Sequence, residues 1–212
     1  MKSRALHIAI ALGVVIVVLL VARRLENDRP LRETLQTQNP ESLLVYGTVP
    51  DFSLTNHLGQ VCGKQELIGH TWIANFIFTR CPATCPVQTM MMGNLQEQLS
   101  ILPEWQHIRL ISFSVDPGYD TVDVLNSYAG EAGAQDDHWY FLTGPRSDIW
   151  QLSKEGFKLA VGDTQPDAAS PLFHSPKMML VDARGRIRGY FDGMSAEGNA
   201  EIGEAAKALF RQ

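Results

Sequence analysis

Apolar and polar positions divide this chain into segments of different period. Residues 5 to 22 carry no Asp, Glu, Lys or Arg and are rich in Ile, Val and Leu. At a rise of about 1.5 Å per residue such a run spans roughly 27 Å, close to the hydrocarbon core of a bilayer. It predicts a transmembrane helix. No small-x-small cleavage site follows, because Leu19-Leu20-Val21-Ala22 runs straight into Arg23-Arg24, so the segment reads as an uncleaved anchor. Residues 1–24 are therefore expected to be the membrane anchor, residues 25–48 a polar tether, and residues 49–212 the folded domain.

Within the domain the pattern changes to short strands alternating with helices. Pro50 to Val61 alternates either side of a glycine, as a hairpin does, with His57 at its tip as a polar turn residue and Cys62 just after it as a surface or edge thiol. Trp72 to Phe78 is an aromatic-rich run of strand length with no charge, which predicts a buried strand. Pro86 opens a helix through Val87, Met91, Leu95 and Leu99. His107 to Val115 alternates as a second central strand. Asp116-Pro117-Gly118-Tyr119-Asp120-Thr121 then makes a turn whose Asp120 is placed to cap a helix over Val122 to Ala129. A third strand is expected over Trp139 to Leu142, a helix over Ile149 to Phe157, and a mobile polar loop over Asp163 to Pro171. Lys177 to Asp182 and Ile187 to Phe191 form a closing hairpin about an Ala183-Arg184-Gly185-Arg186 turn, and Ala196 to Phe210 a last helix. This order predicts an α/β domain with a mixed sheet flanked by helices.

Charge narrows the partners. All 23 acidic residues but only 14 of the 18 basic ones follow Arg24, so the part beyond the anchor carries about −9. That argues against nucleic acid as a partner. Three cysteines are too few for a disulfide framework in a domain of this size, and two of them share one motif, so redox or metal chemistry is indicated.

That motif is Cys81-Pro82-Ala83-Thr84-Cys85-Pro86, at the junction of the first central strand with its helix. With Pro86 in the first turn, Cys85 is expected at the N-cap and Cys81 in the turn before it. The unpaired N–H groups and positive dipole end of a helix favour thiolate over thiol, which makes such cysteines nucleophiles or metal ligands. Their spacing also permits an intramolecular disulfide on oxidation. Two soft thiolates suit Cu(I) or Zn(II) and call for a further ligand. His57, His70, His107 and His138 read as structural, whereas His174 stands in a loop leading into the strand expected beside the one that carries the cysteines. Met90-Met91-Met92 point in different directions round a helix and cannot all face one ion.

Taken together, Thr79-Arg80-Cys81-Pro82-Ala83-Thr84-Cys85-Pro86, Ser114-Val115-Asp116-Pro117 with Asp120-Thr121, Leu142-Thr143-Gly144, and His174-Ser175 before a strand ending in Val181-Asp182 resemble the Sco/SenC family of cytochrome c oxidase assembly proteins. The resemblance covers about Val49 to Phe210. It implies a thioredoxin-like fold on the outer side of a bacterial inner membrane, anchored through residues 5–22 as a single pass with the domain in the periplasm. It implies one copper ion per domain, held by Cys81, Cys85 and His174, and a role as a metallochaperone for the binuclear copper site of cytochrome c oxidase subunit II or a related copper protein. The alternative is a thiol-disulfide oxidoreductase in which Cys81 and Cys85 reduce the copper-ligand cysteines of that partner. The chain departs from the family in Ala83-Thr84, where an acidic residue is common, and in Pro176. A proline before a strand beside a thiol pair is where thioredoxin-like folds place a cis bond, so Ser175–Pro176 is expected to be cis and to turn His174 toward the sulfurs.

Overall fold

A computed structural model describes residues 44–165, 168 and 170–210. Strands are β1 (Gly47–Thr48), β2 (Ser53–Asn56), β3 (Val61–Gly63), β4 (Thr71–Ile77), β5 (Ile108–Ser114), β6 (Trp139–Thr143), β7 (Val161–Asp163), β8 (Leu172–His174), β9 (Lys177–Val181) and β10 (Arg186–Asp192). Helices are α1 (Lys64–Leu67), α2 (Thr84–Ser100), α3 (Val122–Glu131), α4 (Arg146–Gln151) and α5 (Ala196–Ala208), with a 3-10 turn at Pro103–His107 and a π turn at Leu152–Gly156. The expected anchor at 5–22 and almost all of the expected tether lie outside the described residues. Among the described residues no helix is long and apolar enough to cross a membrane.

Eight strands form one mixed sheet in the order β1-β10-β9-β4-β5-β6-β2-β3. β4, β5 and β6 run parallel, joined through α2 and α3, and β9 lies antiparallel to β4. The centre is what the apolar runs require, since all seven residues of β4 are buried. A strand covered on both faces shows no alternation, so a continuous apolar run is its signature. Phe76 stacks on Phe113 at 5.2 Å, and Phe157 meets Phe76 edge-on at 5.8 Å and Trp72 at 6.0 Å. This aromatic cluster anchors the strand end from which the cysteines emerge. α2 packs against α5, where Asn199 Nδ2 donates to Met91 O at 2.6 Å.

Several expectations need correction. His57 does sit in the turn between β2 and β3, but its side chain is not in solvent: it is 1% exposed, its Nδ1 accepts from Phe141 N at 3.3 Å, and its ring meets Phe141 edge-on. Its partners lie on β6, far along the chain, so no local pattern could reveal them. Cys62 does sit on the edge strand β3, yet it is buried at 3% exposure in the apolar core. Thr121, not Asp120, caps α3, its hydroxyl accepting from Val124 N. The stretch expected as a loop from Asp163 to Pro171 is bracketed by the pairing of β7 with β8, a separate two-stranded sheet. Among the described residues no peptide bond is cis, so Ser175–Pro176 is trans.

Candidate metal centre

The chain leaves β4 at Ile77, turns through Thr79 and Arg80, and reaches Cys81 before entering α2 at Thr84. Cys85 is thus the second residue of the helix, two positions further in than the expected N-cap, which Ala83 occupies. Pro86 fits the third helical position because no intrahelical bond is required of its missing N–H. Cys85 is 1% exposed and Cys81 9%, so the pair is an inner and an outer thiol.

His174 arrives from another element. It is the last residue of β8 and pairs in register with Val161 of β7, while Ser175 N donates to Ala160 O at 3.0 Å. This small hairpin, not a cis proline, delivers the imidazole. Its Nε2 lies 3.1 Å from Cys85 Sγ, and its ring meets Phe78 edge-on at 5.9 Å. Ring Nδ1 is 3.1 Å from Ser175 O, which suits the tautomer protonated at Nδ1 and leaves the Nε2 lone pair facing the sulfurs. One ligand atom each from Cys81, Cys85 and His174 falls within 4.8 Å of the others, and they form the one such cluster of His, Cys and carboxylate groups among the described residues. The three residues singled out from the sequence are the three brought together.

Protonation differs sharply across the cluster. Burial acts to raise the Cys81 pKa, but the helix-end N–H groups of Cys85 and Ala83, with the Cys85 and Thr84 side chains, outweigh it, so Cys81 sits below an ordinary thiol. Burial drives Cys85 strongly upward, helped by the charge of Cys81 and only partly offset by the Phe78 N–H at 3.5 Å. Burial likewise lowers the His174 pKa and keeps the imidazole neutral. Cys81 is thus the sulfur that ionises more readily, Cys85 holds its proton, and the imidazole is neutral. Both cysteines are free thiols, so the expected disulfide is not formed in this state. Two soft sulfurs and one imidazole at this separation match the donor set of a low-coordinate Cu(I) site.

A second set of residues fastens the cysteine turn and was not recognised from sequence. Asp120, fully buried, accepts hydrogen bonds from Thr79 N at 3.2 Å and from the hydroxyls of Thr79 and Ser114. Burial raises its carboxyl pKa against those donors. Arg80 Nε bonds Asp116 Oδ2 at 2.7 Å and its guanidinium lies over the Tyr119 ring at 4.7 Å. The Asp-x-x-x-Asp spacing after a strand was the available signal; it looked like capping because its partners lie some 40 residues upstream.

The remaining sequence candidates stay away from the cluster. Met90, Met91 and Met92 are 54%, 9% and 0% exposed, diverging round α2 as expected. Cys62 is four strand positions from β4, a separation of about 19 Å at the usual strand spacing. Burial, with the nearby Glu66 charge, pushes its thiol up to about 12.

Residues 42–209 match the SCO1/SenC family model. A SCO1 protein homolog from Bacillus subtilis is 33% identical over 147 residues, spanning 69% of this chain and 74% of that protein. A mitochondrial SCO2 homolog from Bos taurus is 29% identical, with 76% of this chain and 60% of the relative covered. Among solved structures, a SCO1/SenC family lipoprotein from Bacillus anthracis aligns at TM-score 0.70 and 29% identity, covering 77% of this chain and 95% of the other. BsSco, described as a Sco-family cytochrome c oxidase assembly protein with a disulfide switch, aligns at TM-score 0.67 and 29% identity, covering 80% and 98%.

Proposed function

The chain belongs to the SCO1/SenC family, and from that premise we propose that it is a copper-binding assembly factor for cytochrome c oxidase. One copper ion is its cargo, taken up by Cys81, Cys85 and His174 and passed to the binuclear copper site of subunit II or a related copper protein. Residues 5–22 anchor it to a bacterial inner membrane with the domain on the periplasmic side. The observation that carries the reading is the convergence of three ligand atoms within 4.8 Å, drawn from the turn before α2, from α2 itself and from a hairpin some 90 residues later. A soft trigonal donor set of this kind favours Cu(I), and three ligands leave room for a partner's ligand to enter. Uptake must displace the Cys85 proton, so loading releases protons and copper affinity rises with pH.

A second reading draws on the asymmetry of the thiols. An outer, lower-pKa Cys81 at 9% exposure beside an inner, high-pKa Cys85 at 1% suits thiol-disulfide exchange, in which Cys81 attacks a partner disulfide and Cys85, on losing its proton, resolves the mixed disulfide. The partner gains two thiols and this chain ends as the Cys81–Cys85 disulfide. The two roles part at His174. Anaerobic copper titration of the reduced protein should show one ion per chain, and His174→Ala should weaken binding by roughly 10- to 100-fold or more. The same variant should keep its rate with a model disulfide. Unchanged copper affinity would leave the oxidoreductase reading standing alone.

A further inference from the structure

On the β10 side of the sheet, Tyr46, Lys158, Leu159, Lys177 and Tyr190 line an open groove of about 380 Å³ that the metal centre does not use. Its composition is unlike the rest of a surface on which the chain beyond the expected anchor carries about −9. Lys158 and Lys177 are both exposed and have no ion partner among the described residues, and no carboxylate lines the groove. Asp192, the cross-strand neighbour of Lys177, accepts from Met194 N at 3.0 Å and feels the Lys177 charge without forming an ion pair with it. Tyr46 and Tyr190 meet edge-on at 5.5 Å, and the Tyr190 hydroxyl donates to Phe157 O at 3.0 Å, which holds the aromatic wall upright. Lys158 has φ of 56°, the one non-glycine residue in the left-handed region among those described. A strained backbone at a lysine places that ammonium where a relaxed one would not.

The chain arrives at this groove through three consecutive exposed apolar residues, Leu44 at 69%, Val45 at 52% and Tyr46 at 57%. Adjacent exposed aliphatics, a tyrosine with an apolar body and a polar tip, and two exposed lysines are together the chemistry of a surface that meets a bilayer interface. Only 21 residues separate Ala22, the end of the apolar segment, from Leu44.

We propose that this groove is a docking surface for anionic lipid: Leu44, Val45 and Tyr46 enter the headgroup layer, and Lys158 and Lys177 take a headgroup phosphate, with the Tyr46 hydroxyl as a further donor. Lys177 lies three residues after His174, and Ala160, which receives the Ser175 N–H, lies two residues after Lys158. Docking here sets the metal centre at a fixed height above the bilayer. The argument rests on the groove and on the anchored reading, not on copper.

The full chain in nanodiscs tests it, with acylation of lysine amines read by mass spectrometry. In discs of phosphatidylcholine with about a third phosphatidylglycerol, Lys158 and Lys177 should react at least about fivefold more slowly than in pure phosphatidylcholine, and high salt should remove the difference. Lys154 and Lys207 serve as controls and should react equally in both discs. Lys158→Gly, which relieves the strained backbone while removing the cation, should abolish the protection of Lys177 with no loss of thermal stability and with copper still bound one to one. Equal labelling in the two discs overturns the proposal. So does equal protection in neutral discs by inorganic phosphate, which would mean a soluble phosphate ligand. A chain that fails to enter discs defeats the anchor, and flotation with vesicles of the same two compositions then decides the groove: binding to anionic vesicles that Lys158→Gly weakens supports it, and no difference overturns it.

Discussion

Cys62 and Cys81 both show little surface, at 3% and 9% exposure, yet they are chemically opposite places. Cys62 lies in a regular strand whose backbone N–H groups face strand partners, so burial acts on its thiol with little in opposition and the pKa rises to about 12. Cys81 lies where a strand has ended and a helix has just begun, and the free N–H groups there stabilise a thiolate despite burial. Burial alone makes an inert thiol; burial beside unpaired donors makes a reactive one. Cys85 marks the balance point: at 1% exposure with one N–H at 3.5 Å, burial wins there and its pKa rises.

The strongest way to break the comparison is to exchange the roles by mutation. Cys81→Ala or Cys85→Ala should lower copper affinity well over 100-fold, since a direct ligand must count for more than the outer-shell partners that typically cost 10- to 100-fold. Cys62→Ala should leave the stoichiometry at one ion. Inductively coupled plasma analysis after anaerobic dialysis decides it, and copper lost with Cys62 alone would show that the edge thiol joins the site.

Reactivity gives the next effect. At pH 8, iodoacetamide should modify Cys81 on the order of 100-fold faster than Cys62, the larger gap in thiolate fraction being partly offset by the weaker nucleophilicity of a low-pKa sulfur. The pH profile carries the sign. A lowered pKa means that the Cys81 rate reaches its plateau below the pH at which a free thiol would, whereas the Cys62 rate should still be climbing at the alkaline limit of the measurement. Peptide mapping of the alkylated protein over pH 5 to 10 would expose a reversed order.

Asp120 is the third lever, because it ties the cysteine turn to β5. Asp120→Ala orphans Thr79 N and the buried Ser114 hydroxyl, and should cost about 2–4 kcal/mol of stability. Copper affinity should fall about tenfold as the turn loosens, in line with outer-shell substitutions. Denaturant titration and copper titration of the same variant report the two effects separately. Stability lost with affinity intact would show that the turn holds its shape without the carboxylate.

What could be read in advance follows the same division between local and distant causes. The buried β4, its junction with a helix and the cysteine pair are consecutive in sequence, so period and proline placement reveal them. His174 was found because it shortly precedes β9, which lies beside β4, but the means of its delivery, the β7–β8 hairpin, was misjudged. The β7–β8 pairing lies among short polar segments whose alternation is too brief to register. Asp120 was misread as a cap, and the burial of His57 in its turn went unseen, because their partners, Thr79 and Phe141, are 41 and 84 residues away. Buried polar groups of this kind are set by tertiary contacts, which no local pattern encodes.

The smallest effect sharpens the comparison from the inert side. If Cys62 acts as a small apolar side chain opposite Leu54, its replacement should follow packing rules and not thiol chemistry. Cys62→Ala, which only trims a sulfur from the core, should cost about 1 kcal/mol of stability, near the centre of the range for point substitutions. Cys62→Ser keeps the size but buries a hydroxyl at a site where the thiol makes no strong hydrogen bond, and should cost about 1–3 kcal/mol. The order alanine above serine in stability is the diagnostic, because a cysteine retained for metal or redox work would show its loss in copper content or disulfide exchange with either substitution. Thermal melts of the reduced apo-protein give the order. A serine variant as stable as the parent would mean that the thiol is hydrogen-bonded after all, and that the contrast between the two neighbourhoods is narrower than their pKa directions make it.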